Sequence, residues 1–187
     1  MGNVGNAARW IRSAPVGPYD LHATCTGLAL AQDARAAPVV FWARVNAPVL
    51  GDPCDIEEDH FAFALIAPLR LAPGRRSRWR AWALAPALAA YRHSGVRAYL
   101  DDDAICLNGR RIAECGACTI GACAVVVSSF LPRPPGALGD WAERELEGAF
   151  RARIEAQHGW EFENSWPSET ERRAIADALA EEAADAK

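Results

Sequence analysis

The stretch "AICLNGRRIAECGACTIGACAVVVSSFL", residues 104–131, constrains this chain more than any other. Asn108-Gly109 stands between two apolar runs, the strongest short-range signal for a two-residue β-hairpin, because the favoured turn needs positive φ at both central residues. The pattern predicts a strand "AICL", a returning strand "RRIAECGAC" and, after "TIG", a third strand "ACAVVVSSFL". Consecutive strands joined so tightly require antiparallel pairing.

The remaining elements are read around this sheet. "PVVFWARV" (38–45) and "FAFALIAPL" (61–69) are rich in β-branched and aromatic residues and read as strands. Between them "NAPVLGDPCDIEEDH" is a loop with two prolines and an acidic cluster. A helix is expected over 21–36, and another over 72–95. In the second, Trp79, Trp82, Leu84, Leu88 and Tyr91 share a face, Gly95 suits the C-terminal cap, and Pro86 should kink or restart the helix. Asp140 and Glu143 form a capping-box pair ahead of Ala142, Leu146, Ala149, Phe150 and Ile154 at helical spacing, with His158-Gly159 as the stop. Ser168 and Glu171 repeat the capping box before a last, alanine-rich helix. "LPRPPGALG" (131–139) reads as a stiff connector. Residues 1–19 read as a loose lead-in and 20–187 as one domain. The class is α+β: a mainly antiparallel or mixed sheet with helices packed on one side.

A chain of 187 residues suffices for one sizeable core. With 51% hydrophobic and 24% charged residues, it matches ordinary globular proteins. The net charge of -4 and pI of about 5.6 argue against a nucleic-acid partner. No stretch is long and apolar enough for a membrane helix, and "MGNVGNAARWIRSAPVG" lacks a signal peptide's apolar centre. Asn6 breaks the myristoylation pattern that Gly2 begins. A cytoplasmic protein with six reduced thiols is expected.

"CGACT" has the local form of a plant-type iron–sulfur loop. The first ligand of that loop falls at Arg110, and no cysteine follows Cys123. A zinc site from Cys106, Cys115, Cys118 and Cys123 lacks a second C-x₂-C knuckle and any nearby histidine. These cysteines are better read as small apolar residues of a half-buried sheet, with no metal site expected.

"DDDAICLNGRRIAECG" followed by "GACAVVVSSFL" resembles the core of the biotin/lipoate protein ligase and lipoyl/octanoyl transferase superfamily. Members carry an Asn-Asp pair, a short strand, Gly, a basic pair ending in Lys, then Ile or Leu and a small residue. Asp102-Asp103 lies over the acidic pair, Asn108-Gly109 over the turn, Arg110-Arg111 over the basic pair, and Ile112-Ala113 over the apolar and small residues after it. More faintly, "APVVFWARVNAPVLG" and "HFAFALIAPL" resemble the family's early strands, so the likeness covers roughly residues 20–131.

The resemblance implies a biotin/lipoate ligase-like fold. It implies activation of a biotin-, lipoate- or octanoate-like carboxylate as an acyl-adenylate, and transfer to a lysine of a carrier-protein domain. ATP and biotin or lipoate would be substrates, with no tightly bound cofactor. Arg111 falls where the family's catalytic lysine neutralises the developing oxyanion and the phosphate. Asp102, Asp103, Asn108, Gly109, Arg110, Ile112, Ala113 and Gly116 are the implied substrate-binding set. Three departures stand out. Arg111 replaces lysine, a flat diffuse charge for a compact one. Glu114 replaces a glycine beside the ligand. The "GRGRxGRxW" and "RRxTGG" loops that enclose the intermediate are missing ahead of "HFAFALIAPL", and "GRRSRW" (74–79) comes after that strand. A ligase-like fold kept as a binding or regulatory module is the alternative. Cys115 and Cys118 are candidate thioester nucleophiles without a histidine in the segment. His22, His60, His93 and His158 are scattered, and Arg70, Arg75, Arg76, Arg78 and Arg80 read as a solvated helix start.

Overall fold

A computed structural model describes residues 7–50, 54–102, 104–132 and 143–185. Eight strands form one mixed sheet: β1 (Ala7–Arg12), β2 (Val39–Arg44), β3 (Phe61–Pro68), β4 (Tyr99–Asp101), β5 (Ala104–Leu107), β6 (Arg110–Ile120), β7 (Cys123–Phe130) and β8 (Glu161–Ser165). Their order across the sheet is β4-β5-β6-β7-β3-β2-β1-β8. Four helices accompany them: α1 (Pro18–Leu30), α2 (Trp79–His93), α3 (Glu143–His158) and α4 (Glu169–Asp185). The expected α+β class with a mixed sheet is what the chain forms.

The helices cover both faces, not one. β3 and β7 are buried at every position, and β2 at all but Arg44. A strand buried on both sides needs cover on both. On one face Trp10, Trp42, Phe63, Val126 and Phe130 pack with Leu84 and Tyr91 of α2 and Phe150 and Ile154 of α3. On the other, Ile11, Phe41, Ala64, Ile66, Val125 and Val127 pack with Leu21, Cys25 and Leu28 of α1, and Ile175 of α4 lies against them. The uninterrupted apolar runs "VVFWA" and "FAFALIAP" carry this two-sided burial in the sequence.

The loose lead-in expected over residues 1–19 is corrected from residue 7 on, and residues 1–6 lie outside the described residues. Residues 7–12 form β1, an interior strand parallel to β2 on one side and β8 on the other. Trp10 and Ile11 are 2% and 1% exposed and point to opposite faces. The strand exists because two distant segments supply its ladders, a cause no local pattern displays. β8, "EFENS", is short and polar because it lies at a sheet edge.

Element boundaries shift modestly. α1 starts at Pro18 rather than 21, with Gly17 N–H donating to Asp20 Oδ2 at 3.3 Å, and stops at Leu30 rather than 36. Pro suits the first helical position, where its missing N–H costs nothing. A 3₁₀ turn at Arg76–Arg78 leads into α2, which runs past a buried Pro86 to His93 without restarting. The capping box of α4 forms: Ser168 N–H donates to Glu171 Oε2 at 2.7 Å and Glu171 N–H to Ser168 Oγ at 3.2 Å. Asp140, Ala142 and most of the 131–139 connector lie outside the described residues. No helix of the described residues is long and apolar enough to cross a membrane.

Candidate active site at the β5–β6 turn

The β5–β6 turn takes the form its sequence demands. Asn108 has φ 51° and Gly109 φ 77°, the pair of left-handed conformations of a type I′ turn. Across it Leu107 pairs with Arg110 and Cys106 with Arg111, while Ile105 pairs with Ala113, so the register slips by one residue. Such a bulge re-aims the side chains of the longer strand. Arg110, Arg111, Ile112 and Asn108 line one groove of about 540 Å³. Glu57, His60 and Leu131 line it as well. That volume suits a small ligand.

Arg111 Nη1 lies 3.6 Å from Glu114 Oε1, with both side chains largely in solvent. An exposed pair at this distance holds its partners weakly, so Arg111 remains able to meet another anion. Arg110 lines the groove with an exposed side chain.

His60 enters the structure just ahead of β3 and is 6% exposed. Its Nδ1 lies 3.1 Å from Ser129 Oγ on β7. Its Nε2 is buried without a hydrogen-bond partner, 3.7 Å from Glu57 Oε2. Burial lowers the His60 pKa from its usual range, against the opposing pull of Glu57 and Asp59. The ring is therefore neutral at neutral pH.

On the α1 face of the sheet is a separate apolar cavity of about 30 Å³. Cys25, Cys54, Cys118, Ile120, Val125 and Val127 are among its walls. The space admits about one water or methyl group. Burial pushes the Cys25 thiol far up, and the neighbouring Cys118 and Cys54 add to it. Burial also raises Cys106, and raises Cys123 to about 11. These thiols stay protonated, which suits packing rather than nucleophilic attack.

The cysteine-rich stretch is sheet. Cys115 and Cys118 are three apart on β6, and an odd spacing on a strand sends side chains to opposite faces. Cys115 belongs to the α2/α3-side core and Cys118 packs on the α1 side. Among the described residues no three His, Cys, Asp or Glu side chains converge on a point suited to a metal ion.

The implied site residues divide into three groups. Asn108, Arg110, Arg111 and Ile112 meet at the groove, and Gly109 shapes the turn beside it. Asp102 sits in the β4–β5 turn with φ 52°, at the opposite end of β5 from Asn108. Ala113 and Gly116 are buried in β6, Ala113 in the α2/α3-side core and Gly116 opposite Val127. Asp103 lies outside the described residues. Glu57 and His60 were not among the implied set. Their signal was "EEDH" abutting a wholly apolar strand, which carries a histidine into the interior. The basic cluster also gains specific work. Arg70 donates to the carbonyl oxygens of Ala34, Arg35 and Ala36, and Arg76 to that of Ala117 at 2.9 Å.

The same architecture occurs in solved enzymes. A bi-partite lipoate protein ligase from Thermoplasma acidophilum superposes with a TM-score of 0.76 at 8% identity, over 94% of this chain and 92% of that one. The fold is that of the lipoate and biotin protein ligases. A lipoate-protein ligase A bound with ATP matches the ligase fold of this chain with a TM-score of 0.77 at 9% identity, over 93% and 94% of the two chains. The biotin acetyl coenzyme A carboxylase synthetase of Helicobacter pylori, with bound biotinylated ATP, gives 0.59 at 11% identity, over 90% and 81%. No family model and no curated protein sequence matches this chain. At such identities the ligase fold is shared and the side chains of the site are this chain's own.

Proposed function

We propose that the protein binds an activated acyl group, a biotin-, lipoate- or octanoate-like acyl-adenylate, and passes the acyl to a lysine of a carrier-protein domain. The observation that carries this reading is the pair Arg110 and Arg111, delivered by a type I′ turn into a groove of about 540 Å³. Two arginines lining one groove suit a phosphate and a developing oxyanion. Relatives of the fold hold ATP or a biotinylated nucleotide, and a solved relative belongs to a lipoylation system with its E2 lipoyl domain. ATP is then a substrate rather than a resident cofactor. A cytoplasmic setting, in which six thiols stay reduced, fits this reading. Asp102 lies in the turn at the far end of β5, away from Arg110 and Arg111 in sequence along the hairpin.

The apolar cavity of about 30 Å³ is too small for a lipoyl or octanoyl chain. A long acyl chain therefore lies along the groove or enters only with movement of α1. A second reading, binding without turnover, draws on the Glu114 carboxylate beside Arg111, which opposes an anion there.

Thermal shift with non-hydrolysable octanoyl-, lipoyl- and biotinyl-adenylate analogues tests the proposal, since a ligand selective for the folded state raises the Tm. An analogue is expected to shift the native protein. Arg111→Ala should weaken its binding by about tenfold or more, as loss of a charge-assisted hydrogen bond implies, and Glu114→Gln should strengthen it. No shift with any analogue would refute the acyl-adenylate reading. A shift without acyl transfer to an amine would favour the binding module.

A further inference from the structure

We propose that His60 is the proton acceptor for the amine that attacks the acyl group in the groove. This assignment rests on the acyl-transfer function proposed above. Histidine of ordinary basicity is the side chain best suited to moving a proton near neutral pH. A buried ring nitrogen without a partner is costly and calls for an explanation. His60 Nε2 is such an atom, on a residue that lines the groove beside Arg110 and Arg111.

The other ring nitrogen is anchored. Ser129 Oγ, 3.1 Å away, can accept the Nδ1 proton, which leaves the buried Nε2 with its lone pair, facing the exposed Glu57 that also lines the groove. The carboxylate of Glu57 lies 3.7 Å from Nε2, beyond hydrogen-bond reach, on a side chain 87% exposed. It can swing aside for an incoming amine and return to stabilise the imidazolium. The charged groups acting on the ring are Glu57 and Asp59 ahead of β3, with Asp59 held at 2.7 Å by Arg44, while Arg110 and Arg111 line the same groove. The arginines draw the phosphate, and the histidine and carboxylate draw the ammonium. The two signs match the two substrates.

The step balances without a further reagent. The amine nitrogen forms the amide bond to the acyl carbon. The acyl–phosphate C–O bond breaks, and its electron pair leaves with AMP. The ammonium gives one proton to solvent to become the nucleophilic amine, and the second, shed as the amide forms, passes to Nε2 and then to solvent. No oxidant or reductant is involved.

The test supplies ready-made octanoyl-adenylate and Nα-acetyl-lysine amide to the full chain, and tracks amide formation from pH 5 to 8. Binding of the octanoyl-adenylate analogue is measured by thermal shift alongside. The native protein should transfer, with a rate per free amine that climbs as His60 loses its proton below pH 6.5. His60→Gln should bind the analogue as before and lose transfer by about a hundredfold or more, the usual worth of a general base. Glu57→Gln lies on the surface and leaves the fold intact. It should move the midpoint of that rise to lower pH, because a neighbouring anion no longer favours the imidazolium. Native-like transfer by His60→Gln, or an unmoved midpoint in Glu57→Gln, would overturn the role of His60 and leave the acyl-transfer function standing. Analogue binding without transfer by the native protein would also overturn it. Absence of analogue binding would overturn both.

Discussion

Single residues decide how this protein answers acid. His158 ends α3, packed between the rings of Trp82 and Trp160, each centroid 4.9 Å away. Its Nε2 is buried and unpartnered, and burial lowers its pKa to about 4 from 6.5. A histidine depressed in the folded state contributes stability above the unfolded pKa, which is lost as pH falls from 6.5 through about 4. Partial exposure lets water screen some of the effect, so about 1–2 kcal/mol should be lost across that window. Denaturant unfolding at pH 7 and pH 4.5 checks this, with His158→Phe expected to flatten the pH dependence. An unchanged slope in that variant would assign the acid sensitivity elsewhere. At this scale legibility was uneven. Arg110 and Arg111 were readable because Asn108-Gly109 dictates their placement within four residues. His60 was not, because its burial comes from Ser129, on a strand far along the chain.

Among the elements, the α1–α4 contact is the tightest. A Cβ on Gly27 would lie 2.4 Å from the backbone nitrogen of Ile175, a distance only displacement of a helix relieves. Gly27→Ala should cost about 1–3 kcal/mol as an overpacked site, read as a lower Tm. Because α1 also roofs the apolar cavity, the same variant should alter adenylate-analogue affinity. One turn before Ile175, at the start of α4, Glu171 caps the helix and takes two hydrogen bonds from Arg9 of β1, at 2.5 and 2.9 Å. Desolvation opposes its charge, but Arg9 and Ser168 win and hold its pKa below the usual value. Glu171→Gln should destabilise by about 1–3 kcal/mol, since it leaves a half-buried guanidinium short of a partner. A neutral result in urea unfolding would show the cap alone to be sufficient. The Ser168–Glu171 box was legible because it is local. Its third member, Arg9, was hidden because β1 was invisible.

At the scale of the whole molecule, the sheet separates what local patterning encodes from what it does not. Strands β5 to β7 run through tight turns, and their order comes from the sequence between 104 and 131. β1 and β8 depend on parallel pairing across most of the chain. Neither has the valine-rich signature of a buried strand, and only Trp10 and Ile11 marked the first. The ligase fold was readable from the hairpin stretch, while the groove needed the loop before β3 folded back against it.

That pairing bears on how the chain is made. β1 is synthesised well before its outer neighbour, which arrives only at Glu161. Until then Trp10 lacks Phe162, and Arg9 lacks Glu171. During synthesis, β1 is left with an exposed ladder edge that other strands can join. Long-range closure of this kind slows folding. The exposure of the nascent chain to misassembly is therefore set by the delay before residues 161–165 emerge.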